Sequence, residues 1–423
     1  MMIPSIDLRG GRAVQLEQGR ELKIDAGDPF PIAEGFAPLG EIAVIDLDAT
    51  LGTGNNEPII RELVRRHRCR VGGGIRSAEA ALRWLDAGAE RVILGTAATP
   101  EVLSRLPRGR TIAALDGRAG KVVVDGWRRE TGAAVIDRMR ALRDFVGGFL
   151  VTFVEREGMM GGLDLAQAEP LREAAGDARV TVAGGIVDAA EIASLDRMGM
   201  DAQLGMALYT GRLDPADAIA ALLTSDRPDG LWPTIVADQA GVALGLAYSN
   251  IDSLRAAVRE RRGVYHSRRR GLWRKGETSG ARQTLIRVEA DCDRDALRFT
   301  VRQEGPFCHL GTRTCFGDDA GLRRLARTLA VPASERDPAS YTTRLLRDPT
   351  LLAAKIREEA AELTTAPDRE SVVHEAADVL FFTLVRLAAA GVPLDEVERE
   401  LDRRSLKVSR RPGDAKPPTE SPA

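Results

Sequence analysis

Two periodicities divide the chain. From residue 1 to about 222, short β-branched runs alternate with amphipathic stretches: IAVIDLD (42–48), RVILG (91–95), TIAALD (111–116), FLVTFV (149–154) and RVTVAGG (179–185) against SAEAALRWLDAG (77–88) and DAAEIASLDRMG (188–199). The runs read as buried strands, and the amphipathic stretches read as helices that close at a glycine. Strands alternating with helices predict a parallel sheet. The stretch TSDRPDG (224–230) interrupts the pattern with Pro and Gly and marks a boundary. Beyond it, TLIRVEA (284–290) and LRFTVRQ (297–303) predict strands of an α+β segment. LLAAKIREEAAEL (351–363) and SVVHEAADVLFFTLVRLAAAG (371–391) carry helical spacing, so the chain from 318 onward reads as all-α. The tail, RRPGDAKPPTESPA (410–423), is polar and Pro-rich and reads as disordered.

The first segment is a duplication. IDLRGGRAV (6–14) matches LDGRAGKVV (115–123), GGGIR (72–76) matches AGGIV (183–187), and LGTAA (94–98) matches LGMAL (204–208), at offsets of 109, 111 and 110 residues. Two halves of four βα units make an eight-stranded barrel. Glycines after a strand let backbone N–H groups approach an anion, so Gly73, Gly74, Arg76, Gly95 and Thr96 in one half and Gly184, Gly185, Gly205 and Met206 in the other are candidate phosphate-binding positions. Two such sites suit a ligand with a phosphate at each end. Asp7 and Asp116 fall at the ends of strands one and five, where paired carboxylates suit general acid–base work.

On these motifs the first segment resembles phosphoribosylformimino-aminoimidazole carboxamide ribotide isomerase, which performs an Amadori rearrangement. The resemblance implies Asp7 as general base and Asp116 as general acid. Gln15 stands where the sister cyclase family has a functional Lys, which favours the isomerase. After strand six the chain reads Thr152-Phe153-Val154-Glu155-Arg156-Glu157-Gly158: Thr152 is retained, Phe153 replaces an acid, and Glu157 is one methylene longer than usual. Met159 and Met160 read as gap-fillers.

Composition adds little to the barrel but sharpens the reading of the later segments. The 60 basic and 62 acidic residues leave a net charge of -2, with no field to recruit nucleic acid or an anionic membrane. No apolar stretch approaches a bilayer span, and the N-terminus does not read as a signal peptide, so a cytoplasmic protein is expected. Three of the four cysteines, Cys292, Cys308 and Cys315, fall in one window, a soft-ligand set suited to zinc. Asp291, Asp293 and Asp295 alternate, and on an extended strand would share a face and offer oxygens to magnesium. RPDGLWPTIVADQ, YHSRRRGLWRKGETSG, ADCDRDALRF and GPFCHLGTRTCFG resemble phosphoribosyl-AMP cyclohydrolase over 226–317, closest to its fungal fused form. That implies Zn2+ on the three cysteines, Mg2+ on the three aspartates, a homodimer with zinc ligands from both subunits, proton transfer by His266 or His309, and Arg268 and Lys275 on the 5′-phosphate. The loop 267–273 is one residue shorter than usual.

In the helical segment, Glu358, Glu359 and Glu362 share a helix flank, and Glu375 and Asp378 form an i,i+3 pair on the next helix. Carboxylates facing across a bundle form a hard-cation site that would grip a polyphosphate. With SYTTRLLRDP (340–349) and EAADVLFFTLVR (375–386), residues 318–411 resemble phosphoribosyl-ATP pyrophosphohydrolase, implying Mg2+ on those five carboxylates and a dimer; Phe382 replaces a His common in bacterial relatives. The organisation expected is therefore a (βα)8 barrel over 1–222, an α+β zinc domain over 226–317, an all-α domain over 318–411, and a disordered tail over 412–423. Small phosphoribosyl nucleotides are the expected partners. Two alternatives stay open: one domain, the isomerase first, has lost activity, or the sites bind ligands without turnover.

Overall fold

The computed structural model describes residues 1–124, 126–332 and 335–410; the expected tail over 412–423 lies outside them. Eight strands close a parallel barrel: β1 (Met2–Arg9), β2 (Ile42–Asp46), β3 (Cys69–Gly72), β4 (Arg91–Leu94), β5 (Thr111–Arg118), β6 (Gly148–Phe153), β7 (Arg179–Ala183) and β8 (Asp201–Leu204). Each pairs in parallel with the next, β8 pairs with β1, and β5 pairs with β6 to complete the ring. β1 and β5 each run on into an antiparallel extension, pairing with Arg12–Glu17 and with Lys121–Val124. The duplication in sequence is thus a duplication in space.

The helices form where their caps allow. Ser77 accepts from the Ala80 N–H at the start of Ala78–Ala87, and Gly88, at φ +110°, ends it. Asp188 accepts from the Glu191 N–H to start Ala189–Arg197, with Gly199 at φ +72° just beyond its end. The helices after the two Leu-Gly-x-Ala motifs are single turns of four residues, Pro100–Leu103 and Met206–Tyr209.

The mirrored glycines answer to one steric demand. Gly73 has φ +92°, and a Cβ there would lie 2.3 Å from the carbonyl oxygen of Asp46. Its counterpart Gly184 has φ +93°, and a Cβ would lie 2.6 Å from the carbonyl oxygen of Phe153. In each half the chain turns off a strand against the backbone end of the preceding strand, which no side chain permits.

By internal contacts the described residues divide into two units: those within 1–236, 246–304 and 406–410, and those within 237–245 and 305–405. In the first unit, strands Gln283–Ala290 and Leu297–Gln303 pair antiparallel, with a bulge between Leu285 and Arg287. Helix Ile251–Glu260, started by an Asn250/Ser253 capping box, packs against the ribbon Val264–Ser267 and Gly271–Arg274. Tyr265 and Phe299 are fully buried in this part, rings 5.5 Å apart. It meets the barrel where the barrel's strands begin: the turn Ala37–Leu39 packs on Gln283–Ala290, Glu34 pairs with Arg261 at 3.1 Å, and Asp217 pairs with Arg255 at 2.7 Å. The face where the strands end bears none of these contacts.

The second unit is helical: Gly321–Leu329, Tyr341–Arg347, Pro349–Thr365, Arg369–Ala389 and Leu394–Ser405. Leu329, Leu345, Leu352, Phe382, Leu384 and Val385 make its core. Among the described residues no single helix is long and apolar enough to cross a membrane.

Gly184→Ala is expected to destabilise the barrel by roughly 2–4 kcal/mol, since a left-handed φ and a backbone clash both oppose it. Gly95→Ala is expected to be near neutral, because its Cβ would meet nothing within 4 Å. Denaturant midpoints of the two variants check both, and equal losses would contradict the steric reading.

Candidate functional site

The free end of the barrel opens into a cavity of about 830 Å³. It is lined by Asp7, Asp116, Thr152 and Glu157, by the glycine pairs Gly73–Gly74 and Gly184–Gly185, and by Arg76, Gly95, Thr96, Gly205 and Met206. Every barrel residue marked from sequence therefore converges on one space. Asp7 ends β1 and accepts from the Ser5 hydroxyl at 3.0 Å. Burial lifts its carboxyl to about 6. Asp116 sits beside Thr152 on paired strands, and hydrogen bonds from Trp127 and Thr152 reach it; burial still holds it above the ordinary range. Glu157 is lifted to about 8, first by burial and then by repulsion from Asp7 and Asp116. Near neutral pH one carboxylate, one raised acid and one neutral acid can share the mouth, an arrangement suited to moving protons in both directions.

The candidate phosphate positions differ in kind. Gly95 is open toward the cavity, whereas a Cβ on Gly205 would lie 2.6 Å from the Gln15 side-chain oxygen. Arg76 is tied to the Ala49 and Thr50 carbonyls at 3.0 and 3.3 Å. Met159 is half exposed rather than a gap-filler, because its loop runs over the mouth instead of into the core; Met160, at φ +48°, lines the cavity and receives a contact from the Thr210 hydroxyl at 3.6 Å. Sequence reasoning missed Trp127 and Gln203. Trp127 comes from the loop after the second Asp-x-Arg motif and fills the space at Gly19, and the Gln203 side-chain oxygen is buried without a partner. Trp127 lay in the second half's version of the β1 hairpin, a signal the repeat carried.

The acidic triplet is not on a strand. Asp291, Asp293 and Asp295 lie in the loop between Gln283–Ala290 and Leu297–Gln303, with Arg294 at φ +67°. The turn, not strand alternation, gathers their carboxylates to within 4.8 Å of one another. Asp295 is held above its ordinary value chiefly by Asp293, then by burial, Asp291 and Asp226. Such crowding of like charge fits a cation site. His266 is half-buried on the ribbon Val264–Ser267 opposite Leu272. The Arg268 guanidinium lies 5.2 Å from the Tyr248 ring centre, and Lys275 is buried. Cys292 is exposed in the acidic loop.

In the second unit, Cys308 is buried and Cys315 exposed within a turn closed by Cys308 N–H to the Thr312 carbonyl at 3.2 Å. Backbone and side-chain donors, Leu310 first and Cys315 among them, hold the Cys308 thiol below its ordinary value, which suits a thiolate ligand. His309 is exposed, 3.9 Å from the Cys308 sulfur. Of the five helical carboxylates, Glu359, Glu375 and Asp378 gather to within 4.8 Å. Glu358 and Glu362 stand outside that group. Lys355 bridges Glu358 and Glu359 at 2.9 and 2.7 Å, and Glu362, raised first by burial, leans on Glu375. Phe382 is core, edge-on to Phe381 and Tyr341, and lies 5.5 Å from the Lys355 ammonium.

Comparison with known proteins gives three matches in chain order. The family model described as histidine biosynthesis protein matches residues 1–214, half the chain. The chain belongs to that family. Models for phosphoribosyl-AMP cyclohydrolase and phosphoribosyl-ATP pyrophosphohydrolase match residues 245–317 and 322–405. A histidine biosynthesis trifunctional protein of Komagataella pastoris is 48% identical over 242 residues, 57% of this chain and 28% of that protein. A histidine biosynthesis bifunctional protein of Schizosaccharomyces pombe is 48% identical over 206 residues, 48% of this chain and 49% of that protein. An imidazole-4-carboxamide isomerase of Gemmatimonas aurantiaca is 39% identical over 226 residues, 50% of this chain and 94% of that protein. The chain thus spans between about a quarter and a half of the length of the fused relatives, and nearly all of the isomerase.

Glu157 sets a test of the electrostatics. Its folded value, about 8, exceeds its ordinary 4.5, so the folded state holds the proton more tightly and stability falls as pH rises between those values. Glu157→Gln removes the penalty and is expected to stabilise the barrel by on the order of 3 kcal/mol above pH ~8, with little effect below pH ~4.5. Thermal or urea unfolding at the two pH values checks it; a pH-independent effect would contradict the assigned burial cost.

Proposed function

We propose that the chain carries out three consecutive steps of histidine biosynthesis: hydrolysis of phosphoribosyl-ATP to phosphoribosyl-AMP and pyrophosphate, hydrolytic opening of the adenine ring, and isomerisation of the resulting aminoaldose to the aminoketose. The observation that carries the reading is the barrel mouth, where the paired aspartates and mirrored glycines converge on one cavity. The order of the three family matches supports the other two steps. The division assigned is residues 1–222 to the isomerase, 226–317 to the cyclohydrolase and 318–411 to the pyrophosphohydrolase, working on small phosphoribosyl nucleotides as a cytoplasmic homodimer.

In the isomerase, Asp116 in its protonated form donates to the sugar ring oxygen as the ring opens to an iminium. Asp7 in its carboxylate form takes the C2 proton to give an enaminol, which becomes the aminoketone as C1 gains a proton and the C2 hydroxyl loses one. Thr152 and Trp127 orient Asp116. Glu157, largely neutral at pH 7, adds no second negative charge beside Asp7 and is placed to hydrogen-bond a substrate oxygen. Gly73, Gly74, Gly95 and Thr96 receive one phosphate; Gly184, Gly185, Gly205 and Met206 receive the other.

In the cyclohydrolase, the resemblance assigns zinc to Cys292, Cys308 and Cys315, with ligands drawn from both subunits of a dimer, and magnesium to Asp291, Asp293 and Asp295; Arg268 and Lys275 would receive the 5′-phosphate, and His266 and His309 would move protons. In the pyrophosphohydrolase, Glu359, Glu375 and Asp378 form the magnesium site, with Glu358 and Glu362 completing it. When bound, zinc acidifies water to near neutrality, and magnesium neutralises phosphate charge.

A single incubation of the protein with phosphoribosyl-ATP, Mg2+ and Zn2+, followed by mass over time, tests the whole. The expected outcome is passage through phosphoribosyl-AMP and the ring-opened aldose to the ketose. Arrest at one intermediate would assign inactivity to the following domain, and no conversion would overturn the reading.

A further inference from the structure

Arg294 stands between Asp293 and Asp295 in the acidic loop, where an arginine would ordinarily neutralise its neighbours. Among the described ion pairs it does not. Its guanidinium pairs instead with Asp196, at the end of the barrel helix Ala189–Arg197. The backbone is turned to match. Arg294 is left-handed at φ +67°, a conformation a non-glycine residue keeps only where its surroundings impose it. Its carbonyl accepts from the Thr224 N–H at 2.8 Å and the Thr224 hydroxyl at 3.4 Å, both from the segment that leaves the barrel. The loop ends are tied by Asp291 N–H to the Ala296 carbonyl at 3.1 Å and Ala296 N–H to the Asp291 carboxylate at 3.1 Å. Three carboxylates are thereby held within 4.8 Å of one another with the nearest cation in sequence drawn away.

We propose that Asp196 of the barrel is a positioning residue for the acidic loop: it sequesters Arg294 and so leaves Asp291, Asp293 and Asp295 unneutralised for a divalent cation. This rests on reading that loop as a cation site. The barrel then serves the second domain electrostatically, from the face opposite its own mouth. Released from Asp196, the Arg294 guanidinium swings to the adjacent carboxylates and competes with the cation.

The test uses the full chain with its helical cluster silenced by Glu375→Gln, and counts Mn2+ bound to the loop by the loss of the free-ion EPR signal. Asp196→Ala is expected to weaken Mn2+ binding roughly tenfold, the low end for an outer-sphere partner of a metal site. Adding Arg294→Ala to Asp196→Ala is expected to recover most of that loss, which a merely structural role for Asp196 would not produce. Isomerase turnover in the same samples reports that the barrel is folded. Unchanged Mn2+ binding in Asp196→Ala, or a double variant as weak as the single, overturns the proposal. If Asp293→Asn leaves Mn2+ binding unchanged in this background, the cation reading itself fails, and the inference with it.

Discussion

Three half-buried carboxyl groups crowd one cavity, and the barrel mouth is organised around the cost of ionising all of them. Loss of water raises Asp7, Asp116 and Glu157 alike, and repulsion from the two aspartates raises Glu157 further. Hydrogen bonds from Ser5 to Asp7 and from Thr152 and Trp127 to Asp116 partly offset the cost. The result is a division of protonation states among chemically similar groups. A flexible or solvated site would lose it, so the mouth must be rigid and closed at its base.

The barrel supplies that rigidity from below. Glu41, Arg70 and Arg91 form a buried cluster where strands begin, with Arg70 to Glu41 at 2.8 Å and Arg70 to Thr181 at 3.3 Å. Above, the steric rule at Gly73 and Gly184 fixes the turns that carry the anion-facing backbone. The contacts with residues 246–304 fall on the strand-start side, as do the ties from Asp86 to the Val408 and Ser409 N–H groups at 2.8 and 2.9 Å. These contacts thus lie on the face that contributes stability, opposite the mouth.

Much of this was legible in the sequence because a repeat is a strong signal. Asp7 with Asp116, and Gly73 with Gly184, occupy equivalent places because each half must solve the same packing problem. The helical segment was legible from its 3.6-residue spacing. Other features depended on contacts that periodicity does not carry. The acidic triplet reads as alternation on a strand, but the left-handed Arg294, held through Asp196 and Thr224, makes it a turn. Helical spacing put Glu358, Glu359 and Glu362 on one flank, yet of these only Glu359 gathers with both Glu375 and Asp378, while Glu362 leans on Glu375. Trp127 has no period of its own and was marked only by its place in the repeated hairpin, and Met159 looked like core because composition does not reveal which side of a loop faces water.

The pH dependence of isomerisation, with the aminoaldose supplied directly to the full chain from about pH 5 to about pH 8, tests the central claim most directly. The account predicts a limb that rises near pH 6 as Asp7 ionises. A flat profile across that range, or a rising limb near pH 6 that persists in Asp7→Asn, would contradict it.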